Sequence, residues 1–281
     1  MILLDGRAVA EEKEKELMQE VEELHQKNII PTLAVILVGN DSASASYVNM
    51  KTRACHRIGI DSVTQKYHTN ITQHQVLDAI KKLNDDFNVD GILVQLPLPG
   101  HINTQEILEA IDPAKDVDGF HPYNIGRMHA GIPAFVPATP MGVMQLLKYY
   151  KIEILGKNVV IIGASNIVGK PLAALMLQEG ATISLCHIHT KDIALHAKEA
   201  DIVCVGVGKA GLLKKEMIKE GAVVIDIGIN RLEDGRLVGD VDALVAKKSS
   251  YFTPVPGGVG PMTISALLQN TIQAAKNRKG K

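Results

Sequence analysis

The sequence predicts an α/β protein whose two halves each carry a parallel sheet, and three observations lead there. Short β-rich runs alternate with amphipathic helical stretches from end to end, the pattern of parallel sheets covered by helices. A Gly-, Pro- and polar-rich interval from Asp112 to Pro140 separates two such series, and an interval this long without periodicity is a linker or a functional segment. The second series opens on a strand, a small-residue turn and a helix. With 281 residues the chain suffices for one large or two modest domains.

Taken in order, residues 8–27 read as a helix, with Val9, Leu17, Met18, Val21 and Leu24 on one face and a dense Glu/Lys face opposite. A strand over Thr32–Val38, a polar loop from Gly39 to Ser44 and a helix reaching Arg57 follow. The strand 63–68 and the helix 72–87 lead to a third strand, 91–96, which Pro97 and Pro99 end because neither can donate to a continuing ladder. Beyond the irregular interval a helix covers 141–150, and strands cover 158–163, 181–187, 202–206 and 223–227. The last helix, 262–276, follows the turn-rich TPVPGGVGP.

Composition removes several classes of function. Lys plus Arg number 30 against 31 Asp plus Glu, a formal net charge of −1. That balance lacks the basic field that binds a phosphate backbone, so nucleic acid is not an expected partner. Apolar runs such as LAVILV fall far short of the roughly 20 residues that span a bilayer, so no membrane partner is expected. The opening MILLDGRAVAEEKEKE holds no signal-peptide core. Cys55, Cys186 and Cys204 are scattered and include no Cys-x-x-Cys pair, which argues against a disulfide scaffold or a zinc ribbon. The expectation is a cytoplasmic protein.

The segment GKNVVIIGASNIVGKPLAALMLQEGA suits a nucleotide pyrophosphate, because a helix N-terminus offers free N–H groups and a positive dipole end. Gly163 ends the strand where the chain must turn, and Gly169 lets helix and strand pack closely. The spacing departs from G-x-G-x-x-G, since Ser165 stands at the middle glycine's place. A tight turn without ligand is the competing reading, and the strand–turn–helix context favours dinucleotide binding. The next strand ends in CHIHTK, with His187, His189 and Lys191 and no carboxylate to hold a ribose diol. Donor or cationic groups suit a ribose phosphate, which favours NADP over NAD. Plain exposed loop residues are the alternative.

In the first half, Tyr47 and Lys51 lie four apart on a helix and share a face. A ring beside an amine can stack on a flat heterocycle while the amine acts on its edge. Gln95 interrupts the apolar run ILVQLPLP at the carboxyl end of a strand, the end that faces ligands in open α/β sheets; its amide needs partners if buried. Asp116 and Asp118, in KDVDGFHPYN, either clamp an amino-pyrimidine ring or cap local turns. The glycines of VPGGVGP, ahead of a helix, allow close approach of backbone to ligand or serve as a hinge. Together these elements describe a cleft between two α/β halves.

The segments YVNMKTRACHRIGI, GILVQLPLP, PAKDVDGFHPYNIGRM, PATPMGV, GASNIVGKP, ATISLCHIHT, GAVVIDIGIN and TPVPGGVGPMT, in that order, resemble the bifunctional methylenetetrahydrofolate dehydrogenase/methenyltetrahydrofolate cyclohydrolase family over essentially the whole chain. The resemblance implies two three-layer α/β domains around a cleft, the second a Rossmann-like parallel sheet, and a homodimer. It implies a folate-binding catalytic domain over 1–138, completed by the C-terminal helix 262–281, and a dinucleotide-binding domain over 139–261. By position, Lys51 is the catalytic lysine, Gln95 its hydrogen-bonding partner, Tyr47 the residue packing on folate and Asp118 the pterin anchor. Leu96 and Pro256, Gly257, Gly258, Val259, Gly260 and Pro261 line the folate site. Gly163, Ala164, Ser165, Ile167, Val168, His187, His189 and Ile229 hold the dinucleotide. Three positions depart from common versions of the pattern: Ala138 replaces a frequent Cys, Ala164 a residue that is Arg in some members, and Ile188 one that is Ser or Arg. The last two normally help grip the phosphate of NADP.

The implied chemistry is NADP-dependent oxidation of 5,10-methylenetetrahydrofolate, then hydrolysis of the methenyl product to 10-formyltetrahydrofolate. The first step needs alignment rather than a strong base. The second needs proton transfer, which a lysine performs if part of its population is neutral, and burial favours that form. Two other readings compete. A hydroxy- or amino-acid dehydrogenase shares the Gly163 turn but leaves Tyr47, Lys51, Gln95 and Asp118 unexplained. A non-catalytic nucleotide sensor needs only the second half.

Overall fold

The computed structural model describes residues 1–280. A two-residue strand, β1 (Ile2–Leu3), leads into helix α1 (Gly6–Gln26). Then β2 (Thr32–Val38), α2 (Ser42–Arg57), β3 (Asp61–Tyr67), α3 (Gln73–Asp85) and β4 (Gly91–Val94) follow, and their strands form a parallel sheet of order β3-β2-β4. Every residue of β2 from Leu33 to Val38 is buried, as a strand covered on both faces requires. Its alternate residues Ala34, Ile36 and Val38 share a core with Val76, Ala79, Ile80 and Leu83 of α3.

Caps fix the helix ends. Asp41 accepts from the Ser44 N–H at 2.7 Å to start α2, and Thr72 and Gln75 form a capping box at the start of α3. The buried Lys115 ammonium donates to the carbonyls of Leu83, Asn84 and Asp86 at 2.7 Å each, satisfying the orphan acceptors where α3 ends.

Three helices come next, α4 (Thr104–Glu109), α5 (Pro122–His129) and α6 (Ala138–Tyr149). The remaining elements are β5 (Asn158–Ile162), α7 (Gly169–Gln178), β6 (Thr182–Cys186), α8 (Ile193–Ala197), β7 (Ile202–Val205), β8 (Val223–Asp226), the short antiparallel pair β9 (Asn230–Arg231) and β10 (Leu237–Val238), β11 (Tyr251–Phe252) and α9 (Val259–Lys279). A six-stranded parallel sheet runs β1-β11-β8-β7-β5-β6. Pleating divides its side chains: Val159, Ile161, Cys204 and Ile225 pack with Leu172 and Met176 of α7, whereas Val160, Ile162, Val203, Val205 and Val224 pack with Ala197 of α8. The chain steps from β5 to β6 on one side and to β7 on the other, so the sheet is Rossmann-like with its switch point at β5.

The chain forms two packed units: Glu12–Ala138 together with the residues from Ile264 on, and Met1–Glu11 together with Thr139–Thr263. The expectation that residues 1–138 form one domain is corrected at its start. Ile2 and Leu3 pair in parallel with Tyr251 and Phe252, and Leu4 is fully buried among Val143, Ile161 and Ile225. Two residues are too few to show a period, so this strand left no sequence signal. The interval 112–140 is also more ordered than its composition suggests. It contains α5, begun by His121, whose Nδ1 accepts from the Tyr123 N–H at 3.0 Å, with Pro122 in the first turn. The last helix starts at Val259, not Met262, so Val259, Gly260 and Pro261 lie in its first turn.

Candidate active site

Lys51 lies on the buried side of α2, 6% exposed, and its Nζ donates to Gln95 Oε1 at 3.2 Å. The other arm of the Gln95 amide donates to the Leu96 carbonyl at 2.8 Å, so its oxygen is turned toward the lysine. Gln95 follows the last residue of β4, and its backbone N–H still reaches Ile36 of β2 at 2.9 Å, which places the side chain at the carboxyl edge of the sheet. Lys51 Nζ stands 5.5 Å from the centre of the Tyr47 ring, one helical turn back. Four elements of the sequence reading (Tyr47, Lys51, Gln95 and Asp118) thus meet within one unit, Asp118 through its field on the lysine.

Electrostatics at this cluster follow from burial. Desolvation pushes the Lys51 ammonium below its ordinary pKa, while the Asp118 carboxylate pulls it back up. Burial raises Asp118 to about 6, opposed by Lys51 and helped by Asp116. It also raises the Tyr47 phenol, with Asp118 adding to the effect, so the ring is neutral. Desolvation thus enlarges the neutral share of Lys51, the form that can accept a proton.

The two aspartates of KDVDGF divide the roles that the sequence left open. Asp116, buried, accepts from the N–H groups of Phe120 at 3.1 Å and His121 at 2.8 Å and from Asn124 Nδ2 at 2.9 Å. It caps the turn into α5. Asn270 of α9 donates to the carbonyls of Val117 at 2.8 Å and Val136 at 3.0 Å, so the backbone on either side of Val117 is tied down. Asp118 is left free of such local capping and faces the lysine field.

In the other unit, Gly163 has φ +117 and a Cβ there would overlap the Gly206 carbonyl. A Cβ on Gly169 would overlap the Gly163 carbonyl in turn. At Gly163 and Gly169 the β5–α7 turn therefore admits no side chain, the property a pyrophosphate cradle needs where backbone meets phosphate. Ser165 Oγ accepts from the Val168 N–H at 3.1 Å and the Gly169 N–H at 3.4 Å, shaping the turn between Ala164 and Ile167, and Val168 provides no side-chain cap. These residues fit a dinucleotide. Beyond β6, the rings of His187 and His189 meet edge to face at 5.7 Å and Ile188 between them is 93% exposed. Ile229 is exposed beyond the end of β8. Pro256, Gly257 and Gly258 belong to this same unit, in the loop ahead of α9.

Residues that sequence reasoning missed are the buried carboxylates Asp226 and Asp240. The signal for Asp226 was present: it breaks the apolar run VVIDIG at a strand's carboxyl end, as Gln95 breaks ILVQLP. Among the described residues, no helix is long and apolar enough to cross a membrane.

Similarity to known proteins extends over both halves of the chain. Residues 4–118 match the family described as tetrahydrofolate dehydrogenase/cyclohydrolase, catalytic domain, and residues 137–279 match its NAD(P)-binding domain. The bifunctional protein FolD of Wolinella succinogenes is 62% identical over 281 residues, covering 99% of this chain and 98% of that one. The crystal structure of the bifunctional FolD methylenetetrahydrofolate dehydrogenase/cyclohydrolase from Campylobacter jejuni is 54% identical, with a TM-score of 0.97 and 99% of each chain covered. The Trypanosoma brucei dehydrogenase-cyclohydrolase, solved with NADP cofactor and an inhibitor, is 40% identical with a TM-score of 0.95, covering 99% of this chain and 98% of that one. With matching domains along its length and relatives this similar, the chain belongs to the tetrahydrofolate dehydrogenase/cyclohydrolase family.

Proposed function

We propose that the chain oxidises 5,10-methylenetetrahydrofolate with NADP and hydrolyses the resulting 5,10-methenyltetrahydrofolate to 10-formyltetrahydrofolate. The observation that carries this reading is the buried Lys51, held by Gln95 beside Tyr47 and under the field of Asp118, on a chain that also owns the Gly163–Gly169 turn. Gly163, Ala164, Ser165, Ile167, Val168, His187, His189 and Ile229 hold the dinucleotide, which when bound supplies the electron-pair acceptor.

The protein's own groups bind, orient and move protons. Tyr47 offers a neutral ring face to the folate heterocycle. Asp118, as carboxylate, accepts from the N–H edge of the pterin, and the Leu96 carbonyl, already bonded to Gln95, keeps that amide pointed at Lys51. In the hydrolytic step water adds to the methenyl carbon and Lys51, neutral, takes its proton. The carbon–N5 bond then breaks, N5 receives a proton from the Lys51 ammonium, and the hydroxyl releases its own to leave the formyl group. The net products are 10-formyltetrahydrofolate and one proton.

A homodimer in the cytoplasm completes the proposal; light scattering and cell fractionation test those two points. The test of the chemistry is a spectrophotometric assay of methylenetetrahydrofolate with NADP and with NAD in parallel. NADP reduction followed by decay of the methenyl absorbance is expected. Dinucleotide binding with no folate-dependent change would sink the reading.

A further inference from the structure

Asp226 and Asp240 are 3% and 0% exposed, deeper than most of the dinucleotide turn, and no step above uses them. Asp226 ends β8. Its Oδ1 accepts from the N–H groups of Gly228 at 3.1 Å and Asp240 at 2.9 Å, and its Oδ2 from that of Val241 at 3.0 Å. Asp240 Oδ2 accepts from the N–H groups of Val207 at 2.6 Å and Gly208 at 2.9 Å, and its Oδ1 from Asn230 Nδ2 at 2.8 Å. Two carboxylates thus knit the loop after β7, the loop after β8 and the chain beyond β10. Gly228 and Gly239 sit so close that a Cβ on either would overlap the carboxylate of Asp240 or Asp226 respectively. Fixing loops with buried carboxylates is costly, since each must be stripped of water and matched by donors. In return they satisfy five backbone N–H groups, of Gly228, Asp240, Val241, Val207 and Gly208, that an apolar plug would leave unpaired, and so hold these loops in one conformation.

The place of these loops suggests what they serve. In an open α/β sheet the ligand lies beyond the strands' carboxyl ends, across the switch point. The pyrophosphate turn follows β5 and the histidine pair follows β6, so the other end of a dinucleotide extends toward β7 and β8. There the two loops expose Val207 (40%) and Ile229 (46%), apolar surface next to a polar, rigid underside. We propose that Asp240, itself locked by Asp226, is a positioning residue for the nicotinamide half of NADP, setting the loops 206–208 and 227–230 against which that half binds. The inference rests on NADP being the cofactor.

Calorimetric titration of NADP tests it, with cyclohydrolase turnover of added methenyltetrahydrofolate and melting temperature measured on the same samples. Asp240→Ala should raise the NADP dissociation constant about tenfold or more while cyclohydrolase turnover stays within about twofold. Asp240→Asn should recover most of the affinity, because its amide oxygen can face Val207 and Gly208 and its amino group can face a turned Asn230. Should Asp240→Ala fail to fold, Asn230→Ala removes a single donor, and a rise of about threefold in the dissociation constant is expected. Unchanged NADP affinity in the variants, or cyclohydrolase loss in step with it, overturns the positioning role. A wild-type protein that binds no NADP overturns the cofactor reading as well.

Discussion

Lys51 and Gln95 are joined by one hydrogen bond of 3.2 Å whose direction is set elsewhere: the Gln95 amino group is already committed to the Leu96 carbonyl at 2.8 Å, so only its oxygen can face the lysine. An oxygen acceptor accommodates both the ammonium and the neutral amine, since each still has an N–H to give. The contact therefore orients Nζ without choosing its charge, and burial and Asp118 make that choice.

Lys51→Met keeps the length and apolar stem of the side chain and removes the proton carrier. Cyclohydrolase turnover should fall by about two to four orders of magnitude, the usual worth of positioned acid–base catalysis. Methylenetetrahydrofolate oxidation, which needs no proton shuttle at that position, should fall far less. Comparing methenyl decay with dinucleotide reduction on one sample separates the two. Hydrolysis at the wild-type rate would take Lys51 out of the mechanism.

Asp118 carries a pH signature of definite sign. Its carboxyl is raised from 3.8 to about 6, first by burial, so the folded protein binds its proton more tightly than the unfolded chain does. That contribution is fully present below 3.8 and is lost as pH rises through about 6. Asp118→Asn removes it. The melting temperature of the variant relative to wild type should therefore climb between pH 4 and pH 6 and level off above. Wild-type affinity for tetrahydrofolate should weaken below about pH 6 as the pterin acceptor is protonated, and the variant should bind weakly at every pH. A flat melting difference, or an unchanged folate dissociation constant in Asp118→Asn, would count against the assignment.

The C-terminal helix is fastened by charge in the unit that holds Lys51. Asp90, 0% exposed, pairs with Arg278 at 3.0 Å and Lys279 at 2.9 Å and accepts from the Thr32 N–H at 3.0 Å. Arg278 and Lys279 also lie over the Phe87 ring. Removing one partner of a buried pair strands the other; Asp90→Ala should cost about 3 kcal/mol, the low end for such losses, because both cations can reach solvent. Urea unfolding measures it, with Lys51-dependent hydrolysis at low urea unchanged. A loss below about 1 kcal/mol would mean the pair behaves as a surface ion pair.

Much of this was legible in the chain itself, for identifiable reasons. Strand β2 was readable to the residue because both its faces are buried, and a run of six apolar residues between Thr32 and Gly39 has no other explanation. Gln95 was readable as a polar interruption at a strand's end, and Tyr47 and Lys51 as a helical pair. Strand β1 was not, because two residues carry no period, and α5 was hidden by Gly126 and by its length of 8 residues. Asp116 and Asp118 looked equivalent in one dimension. The family resemblance singled out Asp118, and the physical reason is in the fold of the turn, which spends Asp116 on Phe120, His121 and Asn124. Asp240 is opaque in sequence because its donors, Val207, Gly208 and Asn230, come from two other loops.

The end of β6 offers a test of cofactor choice. His187 and His189 stack edge to face, and the His189 N–H donates to His187 Nδ1 at 3.1 Å, which leaves Nε2 as the His187 nitrogen free of that bond. Ile188, 93% exposed, contributes nothing to packing and nothing to a phosphate. Ile188→Arg puts a planar, permanently charged fork at that place, matched to a ribose phosphate and indifferent to a ribose diol. The ratio of kcat/KM for NADP over NAD should rise about tenfold, the worth of one charge-assisted bond at a solvent-facing site. The gain should shrink as salt is raised, since the new charge is exposed. His187→Ala should move the ratio the opposite way. Steady-state rates with both dinucleotides at low and high ionic strength decide it. A ratio that ignores both substitutions would place the ribose phosphate away from β6 altogether, and the preference for NADP would then have to come from another loop.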